Sequence, residues 1–566
     1  MKKKLVKRLL ATALVTVMTA SMLVGCGGGS SDGGSASGSG TSDAADAGSS
    51  DAGSSDSGSS DSGSAAAPVS DEKIDVLNQS EKMTLKVACM TGFTQTDSQI
   101  EQWLEEKYNI DIEMVVLPGW SDGQQKISLL MADDNERPDI IWWWSMDTEY
   151  TAWKNAGLLV DVSEYQKKHT NIVDYYNKMD PNTLYYEAAE EGMFRIPGDV
   201  AEPSCECLLI RQDWLDNLGL QAPTTLDELK EVLRAFTEDD PDGNGQNDTY
   251  GLGGDGYDFR SFWPFIQAYG NTHYDRFCIN EDGTIGYGPA QENTKKWLAD
   301  VADLYAKGYI TPNITTDTDR DEEMAKANFG VTYSWIAWTT TKGNSSAMNA
   351  FYSAHPEGKW VAIDMVKGEN GNPQEDPATS SAWAHFAITK NCSDPERAYA
   401  IWDDMCSEEN YIHRRFGVEG EHWTRDEDGS VTFIISNDGD ENNNQNIGLK
   451  LFDNLMNRKD ECNFDNTPEM QALFDKSGKE SRDYAASLVE WKDITKFDTW
   501  LDHQTDIEDE KNQFLWGVIA GSESIDNWDA YIEQLDALGL QDVLAQANEI
   551  YTEQKADMEA YFANQE

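Results

Sequence analysis

Residues 137–147 read Arg-Pro-Asp-Ile-Ile-Trp-Trp-Trp-Ser-Met-Asp, and this stretch constrains the fold more than any other. Pro138 and Asp139 break a helix and favour a turn. Ile140 then opens a short apolar and aromatic run closed by Ser145, the pattern of a buried strand. Three consecutive indoles cannot all face one core on an alternating strand, so at least one is expected on a surface or in a cleft. In open α/β sheets, ligands sit beyond the carboxyl ends of the strands. Trp142, Trp143 and Trp144 followed by Asp147 therefore form a candidate stacking surface beside a carboxylate. The competing reading is that all three indoles are core.

Around this stretch the predicted elements alternate. A strand at 83–90 is followed by a helix at 97–108, with Ile100, Trp103 and Leu104 on one face. A strand at 110–117, a helix at 124–131 and the strand at 139–144 complete the run. Strand–helix–strand–helix–strand is the signature of a doubly wound parallel sheet, so the expected fold class is α/β. A chain of 566 residues exceeds what one hydrophobic core can cover, and two or more lobes are expected. The formal charge of -58 argues against a nucleic-acid partner, whose phosphates need basic surfaces. No internal apolar run reaches membrane-spanning length. Nineteen Trp and 22 Tyr serve packing first, but their faces also suit flat, amphipathic ligands such as sugars.

The N-terminus carries an address. Lys2, Lys3, Lys4, Lys7 and Arg8 precede a mostly apolar segment that ends in Leu23-Val24-Gly25-Cys26, the layout of a secretory signal over residues 1–25. Leu-Val-Gly-Cys resembles the lipobox of bacterial lipoproteins, which implies lipidation of Cys26 and removal of the five basic residues. The mature charge would then be more negative still. Residues 26–70 are dominated by Gly, Ser, Ala and Asp and are expected to form a flexible, self-repelling tether. The expected location is the outer face of a bacterial cytoplasmic membrane, reached through the lipid alone. Seven further cysteines with no Cys-x-x-Cys pair suggest neither a zinc site nor a disulfide framework. They read as small buried hydrophobes.

Residues 240–251 (DPDGNGQNDTYG) are the sharpest local motif. Asp240, Asp242 and Asn244 alternate and Gly245 follows, as in the first half of a calcium loop. The Gln246 carbonyl and the Asp248 carboxylate complete a candidate shell for a structural calcium ion. Gly251 stands where an EF-hand has its bidentate Glu, so the match is incomplete. A polar turn without metal is the alternative.

The run PDIIWWWSMDTEYTAWKNAGLLVDV is similar to a segment of the extracellular solute-binding proteins of carbohydrate ABC importers, maltose-binding protein among them. The similarity recurs in order along the chain: CLLIRQDWLDNLGL at 207–220, SFWPFIQAYG at 261–270, AWAHFAITKNCSDPERAYAIW at 382–402, FGVEGEHW at 416–423 and IAGSESIDNWDAYIEQLDALGL at 519–540. The resemblance implies two α/β lobes of periplasmic-binding-protein type, with ligand in the cleft between them. It places the first lobe at 80–200 plus about 330–390, and the second at about 200–330 plus 391–566. Crossovers are expected near 196–210 and 329–335. It implies sugar contacts for Trp143 and Trp335, and places Asp258 and Arg260 where relatives have ligand-contacting polar groups. Asp147, Trp338, Trp383, His422 and Trp423 are further cleft candidates. Alginate-oligosaccharide binders of the family have a similar loop holding calcium.

The function these features imply is non-enzymatic. A monomeric lipoprotein captures an oligosaccharide and delivers it to an ABC importer permease. Indoles cover the apolar faces of a pyranose while Asp, Arg and Asn bond its hydroxyl rim. The lack of Lys/Arg clusters near the Trp stretches favours a neutral sugar. Two alternatives stay open: a secreted glycoside hydrolase, which needs two carboxylates flanking a bond, and a binder of peptides or other polar solutes.

Overall fold

The computed structural model describes residues 73–564 apart from 90–96, 119, 199–205, 271–272, 340–345, 370–378, 427–430, 435–446, 450, 453–454, 457, 459–469 and 478–487. The expected signal segment, the tether, Cys26 and Cys205 lie outside the described residues.

Thirteen strands run in chain order: β1 (Met83–Cys89), β2 (Ile110–Val116), β3 (Ile140–Trp144), β4 (Ile196–Pro197), β5 (Glu206–Arg211), β6 (Tyr250–Leu252), β7 (Phe277–Ile279), β8 (Ile285–Tyr287), β9 (Phe329–Trp335), β10 (Trp360–Ile363), β11 (Ala384–Ile388), β12 (Trp423–Arg425) and β13 (Val431–Phe433). The first sheet has the order β2-β1-β3-β11-β4 and the second β10-β5-β9-β6; β12 with β13 and β7 with β8 form two small ribbons. β1 pairs parallel with β2 and β3, and β11 joins β3 antiparallel with Ala384 opposite Trp144. In the second sheet β5 lies antiparallel between β9 and β10, while β6 is parallel to β9.

Helices pack over the strands because each has a clear start and an apolar face. Ser98 caps the helix Gln99–Tyr108 through its Oγ, which accepts from Glu101 N–H, and Asn109 ends it in a left-handed turn at φ 51°. Thr225 and Glu228 form a reciprocal capping box at the start of Leu226–Glu238, whose Leu229, Val232, Leu233 and Phe236 are buried.

All five residues of β3 are buried, so no Trp of the run reaches a cleft surface. The expectation failed because β3 is an interior strand covered on both faces, where alternation sends side chains into two cores rather than into core and solvent. On one face Trp142 packs against Trp144 and Trp383, with ring centroids 4.9 and 6.1 Å away. On the other, Trp143 packs against Tyr150, Trp153 and His385 at 5.5–5.8 Å.

The cores divide the chain differently from the expected partition. The first core draws on residues from Val76 to Ile196 and again from Ala384 to Met456. The second holds residues from Leu208 to Val366 and returns from Leu488 to Ala547. β9 is thus an interior strand of the second sheet, paired on both sides, and not a return crossover. The chain goes back to the first sheet between Val366 and Ala384. The reason lies in pairing: β11 is held by β3 along its whole length. The described cysteines, Cys89, Cys207, Cys278, Cys392 and Cys406, are all buried, and burial pushes the Cys278 thiol up to about 11 and Cys392 to about 12.

Trp402, fully buried between Phe386 of β11 and Phe452, ties this late segment to the first core. Trp402→Ala is expected to lower stability by about 3–5 kcal/mol, read by urea unfolding. A loss of less than about 1 kcal/mol would contradict the assignment of this segment to the first core.

Candidate ligand site between the two cores

A cavity of about 570 Å³ opens beyond the carboxyl end of β3. Ser145 follows the strand in a left-handed conformation, φ 47°, and turns the chain into the helix Asp147–Asn155. Asp147, Tyr150, Thr151 and Lys154 line the cavity, and their spacing puts them on one helix face. Opposite stand Trp491 and Ile550, which pack against the second core, with Lys492, Gln554 and Asp557. Hydrogen bonds join the walls. Glu490 accepts the backbone N–H groups of Ser380 and Ser381 at 2.8 and 2.7 Å, and Tyr185 donates to the Gln554 carbonyl at 3.0 Å.

A buried ionic cluster forms the floor. Glu187, the last residue of the helix Asn182–Glu187, has a fully buried side chain and lies 2.6 Å from Arg195 Nε and 3.0 Å from His385 Nε2. It also accepts from Ala382 N–H at 3.0 Å. Burial would push its carboxyl up, but Arg195, His385 and these hydrogen bonds outweigh that and hold it down at about 2. Arg195 bridges onward to Asp147 at 3.2 Å, donates to the Tyr186 carbonyl at 2.9 Å and lies 4.8 Å from the Tyr150 ring centroid. Trp383 sits beside this cluster on the cavity wall.

The second sheet has its own group at the carboxyl ends of β6 and β9. Asp258 caps a short turn through a bond from Arg260 N–H at 2.8 Å, and Arg260 Nη2 lies 3.2 Å from its carboxylate. Trp335 is the exposed residue of an otherwise buried β9, at 37%, and the Arg320 guanidinium lies 5.3 Å from its ring. Tyr257, exposed and held at φ 55°, precedes Asp258. A bulky residue in that region is uncommon and marks a constrained turn.

The structure therefore gathers the sequence candidates into two groups and scatters the rest. Asp147 and Trp383 line the cavity, and Asp258, Arg260 and Trp335 cluster on the second sheet. Trp143 is core. Trp338 is buried and donates to Asp321 at 3.1 Å. Trp423 packs with Tyr411 and Phe416 in a separate small core and donates to the Gly417 carbonyl at 3.3 Å, while His422 accepts from Val418 N–H at 2.8 Å. Neither Trp423 nor His422 lines the cavity. Sequence reasoning missed Tyr150, Glu187, Arg195 and Trp491. Tyr150 was findable from its helical spacing to Asp147. Glu187 and Arg195 carry no local signal.

The loop at 240–248 closes on itself. Asp240, Gly243 and Gly245 have positive φ. Gly245 N–H donates to Asp240 at 3.0 Å, Gln246 N–H donates to Asn244 Oδ1 at 2.7 Å, and Asn244 Nδ2 reaches Asp242 at 2.8 Å and Asp248 at 3.2 Å. Burial and the neighbouring Asp240 and Asp248 carboxylates push the Asp242 carboxyl up, and Asp240 Oδ1 is buried without a hydrogen-bond partner. An all-oxygen donor set with an orphaned carboxylate oxygen fits a hard cation. Among the described residues, however, no group of three or more His, Cys, Asp or Glu is drawn together closely enough to hold one. At Gly251 a Cβ would lie 2.6 Å from Leu233 backbone atoms, which explains why no Glu stands there.

Two lobes, each with an α/β sheet, and polar and aromatic groups at the strand ends define a ligand-binding protein of the periplasmic-binding-protein type. The chain belongs to the bacterial extracellular solute-binding protein family, whose model matches residues 90–409, more than half its length. It is 27% identical over 292 residues to the polygalacturonan/rhamnogalacturonan-binding protein YtcQ of Bacillus subtilis, a match covering 49% of this chain and 54% of the relative. It is 30% identical over 348 residues to lipoprotein LipO of the same organism, covering 59% and 65%. The matched stretches thus span about half to two thirds of these relatives. The fold superposes on the alginate-binding protein AlgQ2 crystallised without calcium ion with a TM-score of 0.63 at 19% identity, covering 85% of this chain and all of that one. Among the described residues no helix is long and apolar enough to cross a membrane.

Glu187→Gln leaves Arg195 with a lost partner in a buried site and is expected to cost about 3–5 kcal/mol at neutral pH. The folded value of about 2 lies below the ordinary 4.5. The stabilisation is therefore complete above pH 4.5 and fades as pH falls towards 2. Denaturant unfolding of wild type and variant should converge across that window. A pH-independent difference would contradict the assignment.

Proposed function

We propose that this protein is the lipid-anchored substrate-binding component of an ABC importer, capturing an oligosaccharide between its lobes and delivering it to a membrane permease. The observation that supports this best is the pairing of chemistry at the strand ends. Trp383 and Tyr150 stand beside the Arg195–Asp147 pair, with Trp491 on the opposite wall of the cavity, and Trp335 stands with Arg260 and Asp258 on the second sheet. Indole faces match the C–H faces of a pyranose, and carboxylate–guanidinium pairs match its hydroxyl rim, which both donates and accepts.

A neutral sugar fits better than an acidic one, although YtcQ and AlgQ2 are named for acidic polysaccharides. Arg195, Lys154, Lys492 and Arg260 each already face a carboxylate of the chain, so a uronate would compete with built-in anions. Glu187 is held ionised and so does not supply the proton that a glycosidase acid must carry near neutral pH.

Lipidation of Cys26 and the tether over 26–70 would leave the lobes mobile just outside the membrane. Calcium, when bound by Asp240, Asp242, Asn244, Gln246 and Asp248, would neutralise the crowded carboxylates and fix this loop. None of these residues lines the cavity, so the role would be structural.

The test is tryptophan fluorescence of the full chain titrated with neutral malto-, xylo-, fructo- and galacto-oligosaccharides, then with oligouronates. A saturable shift with one neutral class and no product release is expected. Trp383→Ala and Trp335→Ala should each weaken it by roughly ten- to a hundredfold. EDTA should lower the melting temperature without abolishing binding. No response to any glycan, or release of shorter sugars, would overturn the proposal.

A further inference from the structure

We infer that Glu206 is the positioning residue of the second lobe's half of the site: a buried carboxylate that fixes the two arginines on which the ligand-facing surface is built. This rests on reading Trp335, Asp258 and Arg260 as a sugar-contacting surface.

Glu206 opens β5, where the chain has just passed from the first sheet to the second. In the β5–β9 ladder its partner is Trp335. Its side chain is only 5% exposed, and a carboxylate so placed needs counter-charges at fixed positions. Among the described residues it faces two, and they come from different segments. Oε1 lies 2.8 Å from Arg320 Nη1, and Oε2 lies 3.5 Å from Arg260 Nη1. One carboxylate therefore sets the direction of both guanidinium groups.

Each arginine then carries part of the surface. Arg320 is buried, donates from Nη1 to the Tyr333 carbonyl at 3.3 Å and from its backbone N–H to Asp255 at 2.7 Å. Its guanidinium lies against Trp335, where cation and indole attract. The indole is held in plane by a cation that is itself held by Glu206. Arg260 turns its other edge to Asp258 and leaves about a third of its side chain exposed. Without Glu206, Arg320 would keep the Tyr333 carbonyl and the Asp255 and Asp321 carboxylates at 3.7 Å, and Arg260 would keep Asp258, but the carboxylate that links the two would be gone.

A carboxylate is required rather than an amide. One oxygen accepts from Arg320 while the other pairs by charge with Arg260, whereas a Gln would turn its NH₂ donor towards one of them. Glu206→Gln keeps volume and backbone pairing while removing one of the two acceptors. Glu206 differs in this from Trp335 and Arg260, which would touch ligand directly.

The experiment is a double-mutant cycle on the full chain, using the neutral oligosaccharide that wild type binds most tightly. Glu206→Gln is expected to weaken binding roughly tenfold, and the loss should largely vanish in a Trp335→Ala background, because the residue acts through that surface. Equal losses in both backgrounds, or none, would overturn the inference. If Glu206→Gln fails to fold, Arg320→Lys replaces it. That variant keeps the charge but not the forked geometry, and the same Trp335-dependent loss is expected. Wild-type affinity in Arg320→Lys would overturn the inference. A wild-type chain that binds no glycan would remove the functional reading together with this one. A wild-type chain that binds, with Glu206→Gln binding equally well, would remove this one alone.

Discussion

In each lobe a buried carboxylate holds an arginine against an aromatic ring at the end of the sheet. Glu187 holds Arg195 over Tyr150, and Glu206 holds Arg320 over Trp335. The same physics operates in both places. A charge removed from water must be matched by a partner in good geometry, so the pair fixes direction as firmly as packing does. The rings gain a rigid backing, and the exposed edges around them, Asp147 in one lobe and Arg260 with Asp258 in the other, are presented in set orientations. A chain with 102 acidic residues has no shortage of carboxylates. Among the described residues, these two are the buried carboxylates that face an arginine.

The placement of both clusters follows from how such sheets are built. Parallel strands interior to a covered sheet have no solvent face, so their side chains make core and little else. What remains available is the strand end. β3 delivers its run of indoles to the cores and then, one turn later, Asp147 and Tyr150 to the cavity. β9 is buried until its last residue, and that residue is Trp335. β11 contributes Trp383 from just before its first residue because it runs antiparallel to β3. The candidate residues thus come to the strand ends by two different routes.

Much of this was legible in the chain. The alternation of strands and helices over 83–144 appears as read, and five of the nine ligand-site candidates, Asp147, Trp383, Asp258, Arg260 and Trp335, stand near the strand ends. What could not be read was long-range. The resemblance implied a sugar contact for Trp143, and alternation implied that one indole of the run faces outward, which assumes one wet face; pairing with β11, more than two hundred residues later, removes that face. Trp423 reads as a binding residue only until Tyr411 and Phe416 are seen around it. Glu187 and Arg195 are eight residues apart and undistinguished in sequence. Their meaning comes from Ala382 and His385, which the fold brings from far along the chain. The division into lobes moved for the same reason, since strand pairing and not chain order decides which core a segment joins.

The central claim is that ligand is held by the strand ends of both lobes together. Amide hydrogen exchange of the full chain with and without a saturating neutral oligosaccharide tests it most directly, because protection reports contact and closure segment by segment. Slowed exchange is expected at 145–154, 186–195 and 381–385 in the first lobe, together with 255–260 and 334–336 in the second. Protection confined to one lobe, or centred on 240–248 or 416–423, would contradict it.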